Sequence, residues 1–200
     1  MSNQRQASEA PAELPLDIQP CTADRWADVC ALFGERGAQG GCWCMWWRLN
    51  PQEFKQNAGA RNRETLKQLV EGGPVPGLLA YQDGQPIGWC SFAPRETLLR
   101  LPRSTAWKPI DAQPAWSIIC FFVHPSARGQ RIATRLLDAA ISFIAAQGAQ
   151  LIEAYPKDIG DEQVADRSIY FGTTTLFQAA GFVEVARRHP VFPIMRLQLT

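Results

Sequence analysis

The run Ser117–Val123 constrains this chain more than any other segment. It is apolar on both faces, which marks a strand buried in the middle of a sheet. From Gly129 to Gln147 the pattern turns helical: Ile132, Leu136, Leu137, Ala140, Ile141 and Ile144 lie near one stripe, and Gly148 provides a stop. Leu151–Tyr155 is then a second strand. Strand, helix and strand within about 40 residues make a βαβ unit, with parallel strands and a right-handed crossover.

The flanking segments extend this unit into a mixed sheet. A short strand starts at Leu16, and Thr22 is placed to cap a helix whose Trp26, Val29, Cys30 and Phe33 share one face. Glycines 34, 37, 40 and 41 end that helix, and a polar helix is expected around Arg61–Glu71. Leu78–Tyr81 and Ile87–Phe92 flank Asp83-Gly84 as a hairpin. The connection 94–115, with four prolines, is long enough to predict a functional or mobile loop. A polar insertion (157–169), a short helix ending at Ala179-Ala180-Gly181, and strands over Phe182–Arg187 and Phe192–Leu199 complete the chain. Residues 1–14 read as a disordered leader and 15–200 as one α/β domain.

Composition narrows the function classes. In 200 residues, 20 Lys+Arg against 19 Asp+Glu leave a net charge of +1. That balance speaks against sequence-independent nucleic-acid binding. The apolar runs are too short to span a bilayer, so no membrane partner is expected. The polar N-terminus lacks the apolar stretch of a secretory signal. Six cysteines in such a chain read as reduced thiols, and the expected compartment is the cytoplasm.

Chemistry concentrates in Val123-His124-Pro125-Ser126-Ala127-Arg128-Gly129-Gln130-Arg131-Ile132-Ala133-Thr134. A central strand ends, a turn follows, and a helix is expected to begin within Arg128–Arg131. Unpaired amides and the positive end of the helix dipole then meet at one place, which suits a phosphate. Arg128 and Arg131 add charge for a diphosphate; the alternative is an ordinary turn with two solvated arginines. This segment resembles the GNAT superfamily of acyl-CoA-dependent N-acetyltransferases, whose signature Gln/Arg-x-x-Gly-x-Gly/Ala follows a central strand and a V-x-P turn. The resemblance continues in Leu176-Phe177-Gln178-Ala179-Ala180-Gly181-Phe182 and in the 78–92 hairpin, and covers roughly residues 16–200.

The resemblance implies a GNAT-like fold: a central sheet of six to seven strands flanked by helices, with a splayed parallel pair that binds acetyl-CoA. The pantetheine arm would pair with the backbone of Phe121, Phe122 and Val123, and the pyrophosphate would rest on Arg128, Gly129, Gln130, Arg131, Ile132, Ala133 and Thr134. It also implies direct attack by a primary amine of a small-molecule or peptide acceptor on the thioester, with the strand amides stabilising the oxyanion. A homodimer is left open. Two departures from the family pattern stand out. Arg131 takes a position usually held by glycine, and Phe177 takes that of a proton-donating tyrosine. Tyr155 and Tyr170 are the phenols available instead. Ser117 stands where some relatives carry a basic glutamate and could hold a water; Glu96, Asp111 and Glu153 are the acids that could approach.

The segment Cys42–Arg48 supports two readings. Trp43, Trp46 and Trp47 could form the wall of an acceptor site through stacking and cation–π contact, or plug the core beneath the glycine-rich loop. The C-x-C spacing lacks the paired C-x-x-C of zinc ribbons, so no metal is expected. The expected function is acetyl transfer to an amine. The other classes are a non-catalytic acyl-CoA sensor or interaction module, and a zinc-stabilised module.

Overall fold

The structure is a computed structural model, which describes residues 15–160 and 170–199. The leader assigned to residues 1–14 and most of the 157–169 insertion therefore fall outside the described residues. One seven-stranded mixed sheet organises the chain in the order β1-β2-β3-β4-β5-β7-β6. Its strands are β1 (Asp17–Pro20), β2 (Gly77–Gln82), β3 (Gln85–Pro94), β4 (Trp116–Val123), β5 (Leu151–Ala154), β6 (Val183–Arg187) and β7 (Pro193–Gln198). Among the strands of the described residues, β4 and β5 run parallel and the other neighbours are antiparallel. This is the splayed-pair architecture the sequence implied.

The helices are α1 (Trp26–Phe33), α2 (Pro51–Gln56), α3 (Ala60–Glu71), α4 (Ile132–Ala146) and α5 (Thr174–Ala179). Helix α4 buries Ile132, Leu136, Leu137, Ala140 and Ile144 against one face of the sheet, with Ile118 and Phe121 of β4 and Phe177 of α5 in the same core. On the other face, Val29, Leu32 and Phe33 of α1 and Leu66 and Val70 of α3 pack on Trp89 and Phe122. A third cluster on that side joins Trp47, Leu98, Leu101, Ile119 and Tyr155. Each fully buried large side chain contributes about 1.5–3 kcal/mol.

Four local expectations change. Thr22 precedes a 3-10 turn at Ala23–Arg25 and its side chain makes no cap. Helix α2 was not foreseen, although Asn50-Pro51-Gln52-Glu53 forms a capping box in which Asn50 accepts from the Glu53 amide and Glu53 from the Asn50 amide. The 94–115 connection is packed: Leu98 and Leu101 are fully buried, and short turns at Arg95–Thr97 and Leu101–Arg103 hold it. Helix α4 begins at Ile132, not within 128–131, because Pro125–Ala127 forms a 3-10 turn and the chain then turns left-handed at Gly129 (φ 76) and Arg131 (φ 57).

Candidate active site

Strand β4 carries the site. It pairs with β5 only over Trp116–Ile118 and Ile152–Ala154, and the two strands then part. On its other edge Ser91 opposes Cys120 and Phe92 opposes Ile118, so Ile119 is an extra, bulged residue. Amides alternate sides along a strand. Phe122 pairs with Trp89 of β3 and the His124 amide donates to Ile87, whereas the Phe121 amide points into the splay. There it donates to the carbonyl of Tyr170 at 2.7 Å. Residues 170–173 thus lie in the gap between β4 and the chain leaving β5, where Lys157 donates to the Gly172 carbonyl at 3.0 Å. Gly172 permits this course: its φ is +76, and a Cβ there would stand 2.8 Å from the Phe177 ring.

Beyond β4, the turn and helix create an anion-binding geometry. Arg131, at the N-cap of α4, makes no side-chain cap. The amides of Ile132, Ala133 and Thr134 precede the first intrahelical bond, from Arg135 to the Arg131 carbonyl. The Arg131 φ of 57 is left-handed, which costs a non-glycine residue about 1–2 kcal/mol. Arg131 is not helical, contrary to the sequence reading. Ile132 and Ala133, but not Thr134, line a cavity of about 250 Å³ together with Phe121, Val123, Arg128, Gly129 and Tyr170. Phe122 and Arg131 also line it. Gln130 instead turns its side chain to the Ser126 carbonyl at 3.5 Å. A larger hollow of about 770 Å³ beside Asp17, Asp28 and Tyr81 lies at the β1 side and shares none of this geometry.

At the foot of the splay, Ser117 and Tyr155 come together. Their hydroxyls are 3.0 Å apart, and the Tyr155 phenol donates to Glu153 Oε2 at 2.8 Å. Glu153, 1% exposed, accepts at Oε1 from Arg95 (2.8 Å) and Arg196 (2.7 Å). Arg196 also grips Asp111 through two bonds of 2.7 and 2.8 Å. The Arg196 hydrogen bonds lower the Asp111 carboxyl to about 2. Burial, reinforced by the Glu153 charge, pushes the Tyr155 phenol well above its ordinary value, so it keeps its proton. Tyr155 is 1% exposed and is not among the residues lining the cavity; Tyr170 is. Phe177 is buried edge-on against Phe121 and Phe182, a packing role with no proton to give.

The tryptophans divide. Trp43 is buried against Trp26 and Phe33, and Trp47 against Tyr155, Trp107 and Phe171. Trp46 is half-buried, and the Arg100 guanidinium lies 3.9 Å over its ring, on a face an acceptor cation would use. The cysteines are free. Cys44 accepts from the Trp89 indole at 3.0 Å, and Cys120 is half-buried rather than enclosed. Among the described residues no three His, Cys, Asp or Glu side chains gather as a metal site would need, and no helix is long and apolar enough to cross a membrane.

The acetyltransferase (GNAT) family model matches residues 43–167. No curated protein sequence matches the chain. Among solved structures, a GNAT-family acetyltransferase from Listeria monocytogenes superposes with a TM-score of 0.59 at 10% identity, over 96% of this chain and 99% of its own. The PaiA N-acetyltransferase from Thermoplasma acidophilum, in complex with coenzyme A, gives 0.54 at 11%, over 93% and 100%. An agmatine N-acetyltransferase gives 0.55 at 12%, over 92% and 99%. At these identities the likeness is one of fold.

Proposed function

The chain belongs to the acetyltransferase (GNAT) family, and from that premise we propose that its domain, residues 15–200, moves the acetyl group of acetyl-CoA directly to a primary amine. The observation that carries the proposal is the uncapped start of α4, opening with the splay edge of β4 onto one cavity. The diphosphate of CoA would rest on the amides of Ile132, Ala133 and Thr134 and on the left-handed turn at Gly129 and Arg131, with Arg128 and Arg131 supplying charge. The coenzyme A held by the Thermoplasma relative supports this ligand class.

The chemistry needs no protein nucleophile. The amine nitrogen bonds to the thioester carbon, the C–S bond breaks, the ammonium proton leaves to solvent and the thiolate takes a proton. A strand amide facing the splay stabilises the oxyanion, and Phe121 and Val123 are the residues whose amides face that way. The pantetheine arm then takes the Phe121 amide from the Tyr170 carbonyl. Because Tyr155 is enclosed, the role of proton donor to the thiolate passes to Tyr170, which lines the cavity with its phenol on Gln39 at 2.8 Å. Ser117 and Tyr155 act as positioning residues that fix the foot of the splay. The site so read is one for a soluble amine acceptor in the cytoplasm.

Calorimetric titration with CoA, followed by thiol-release assays over a panel of amines, tests the proposal. Binding and turnover are expected, with Arg131→Ala weakening CoA and Tyr170→Phe lowering turnover by about 10²-fold at most. CoA binding with no thiol release on any amine would identify an acyl-CoA sensor instead.

A further inference from the structure

Arg48 is a part-buried cation that meets no carboxylate among the described residues; Arg100 is another, but it lies over the Trp46 ring. A buried charge is normally paired, because leaving it alone costs several kcal/mol. Arg48 makes three hydrogen bonds, all from Nη2 and all to neutral acceptors: the Pro76 carbonyl (3.3 Å), the Ser91 hydroxyl (3.3 Å) and the Phe92 carbonyl (2.9 Å). Its Nε is buried without a partner. Among the described residues no carboxylate pairs with it, whereas Arg95 and Arg196 each hold two. Burial lowers its pKa to about 10, so it stays charged at neutral pH.

The position of this cation is informative. Ser91, which Arg48 holds, lies opposite Cys120 in the β3–β4 register, and Cys120 directly precedes Phe121, whose amide faces the splay. Arg48 and Cys120 are both half-buried. The titratable groups that act on Arg48 are Cys44 and Cys120. A hydrogen bond to Cys44, together with burial, pushes the Cys120 thiol well above its ordinary value, so it stays neutral, and the Cys44 sulfur is engaged by the Trp89 indole. The pinned guanidinium therefore lies beside the acyl-transfer strand, is itself part-exposed, and has no anion among the described residues.

We infer that Arg48 is the anchor for a carboxylate on the acceptor, so that the amine acetylated belongs to a molecule of amino-acid type. The planar fork of a guanidinium matches a carboxylate, and such a pair made away from water is strong and directional. This inference rests on the acetyl-transfer reading above and adds the acceptor class to it.

The test compares amino acids with their decarboxylated amines and their amides as acceptors, in wild type and in Arg48→Lys and Arg48→Met. A dipeptide with the same N-terminal residue separates a free amino acid from a peptide N-terminus. In wild type the carboxylated member should lead by about 10–100-fold in kcat/KM, mainly through KM. Arg48→Met should bring that ratio close to one, and Arg48→Lys should keep part of it. Turnover of amines without a carboxylate preference overturns the inference and leaves acetyl transfer standing, as does a preference of full size in Arg48→Met. Thermal melts of the wild type with each compound alone need no variant to fold and no turnover. If no amine is acetylated, acetyl transfer itself fails. Stabilisation by amino acids but not by their amines then still supports Arg48 as a carboxylate site, and equal or absent shifts overturn it.

Discussion

Two sets of buried or part-buried arginines sit on the same face of the sheet and are treated in opposite ways. Arg95 and Arg196 converge on Glu153, with Asp111 closing the outer side and Tyr155 donating to the remaining oxygen. Every charge there meets its opposite, so the cluster ties β4, β5, β7 and the 94–115 connection into one rigid foot. Arg48 meets only neutral oxygens and one of its donors meets nothing. The first arrangement has finished its electrostatics within the protein. The second leaves them open, and sites that break a folding rule are where function is to be sought.

The contrast can be broken most forcefully at Glu153. Glu153→Gln leaves the Arg95 and Arg196 guanidinium groups with Asp111 as their one counter-ion and should cost about 3–5 kcal/mol, read by urea unfolding. Tyr155→Phe removes one hydrogen bond to the same carboxylate and should cost about 1.5–3 kcal/mol. Arg48→Met removes a charge that had no partner, so its hydrogen-bond loss is offset and stability should stay within about 1 kcal/mol of wild type. A loss as large as that of Glu153→Gln would show that Arg48 has an internal counter-ion and would erase the distinction. The smallest effect is read in acid. Asp111 has its pKa lowered to about 2, chiefly by Arg196, so its contribution is complete above the ordinary value near 3.8 and is lost as pH falls through about 2. Asp111→Asn should flatten the acid limb of the stability curve in that window, losing a small increment at neutral pH and nothing below about pH 2.

How much of this was legible beforehand follows from the range of the interactions. The β4–turn–α4 unit, the Asp83-Gly84 hairpin and the order of strands rest on local periodicity and turn chemistry, which sequence displays. The capping box at Asn50 was equally local and could have been read. The start of α4 could not: Arg131 adopts a left-handed conformation that the residue itself disfavours, and only the packed turn around it enforces it. The Glu153 cluster joins residues 43 and 58 positions apart, so no spacing rule reveals it. Glu153 and Asp111 could be named as acids near the site, yet their engagement by Arg95 and Arg196 depends on the folded sheet. The Trp43–Trp47 segment was ambiguous for the same reason, since burial and not composition separates Trp43 and Trp47 from Trp46.

The bond from the Phe121 amide to the Tyr170 carbonyl bears on affinity. The chain completes its own sheet at that edge, so on the proposed reading a pantetheine arm would compete with a peptide group for one donor. The apparent dissociation constant for CoA is then the intrinsic one divided by the fraction of molecules in which the peptide group has withdrawn. Whatever shifts that fraction, including a change at Gly172 that moves the segment off the Phe177 ring, tunes how much acyl-CoA the protein holds without altering a single contact to it.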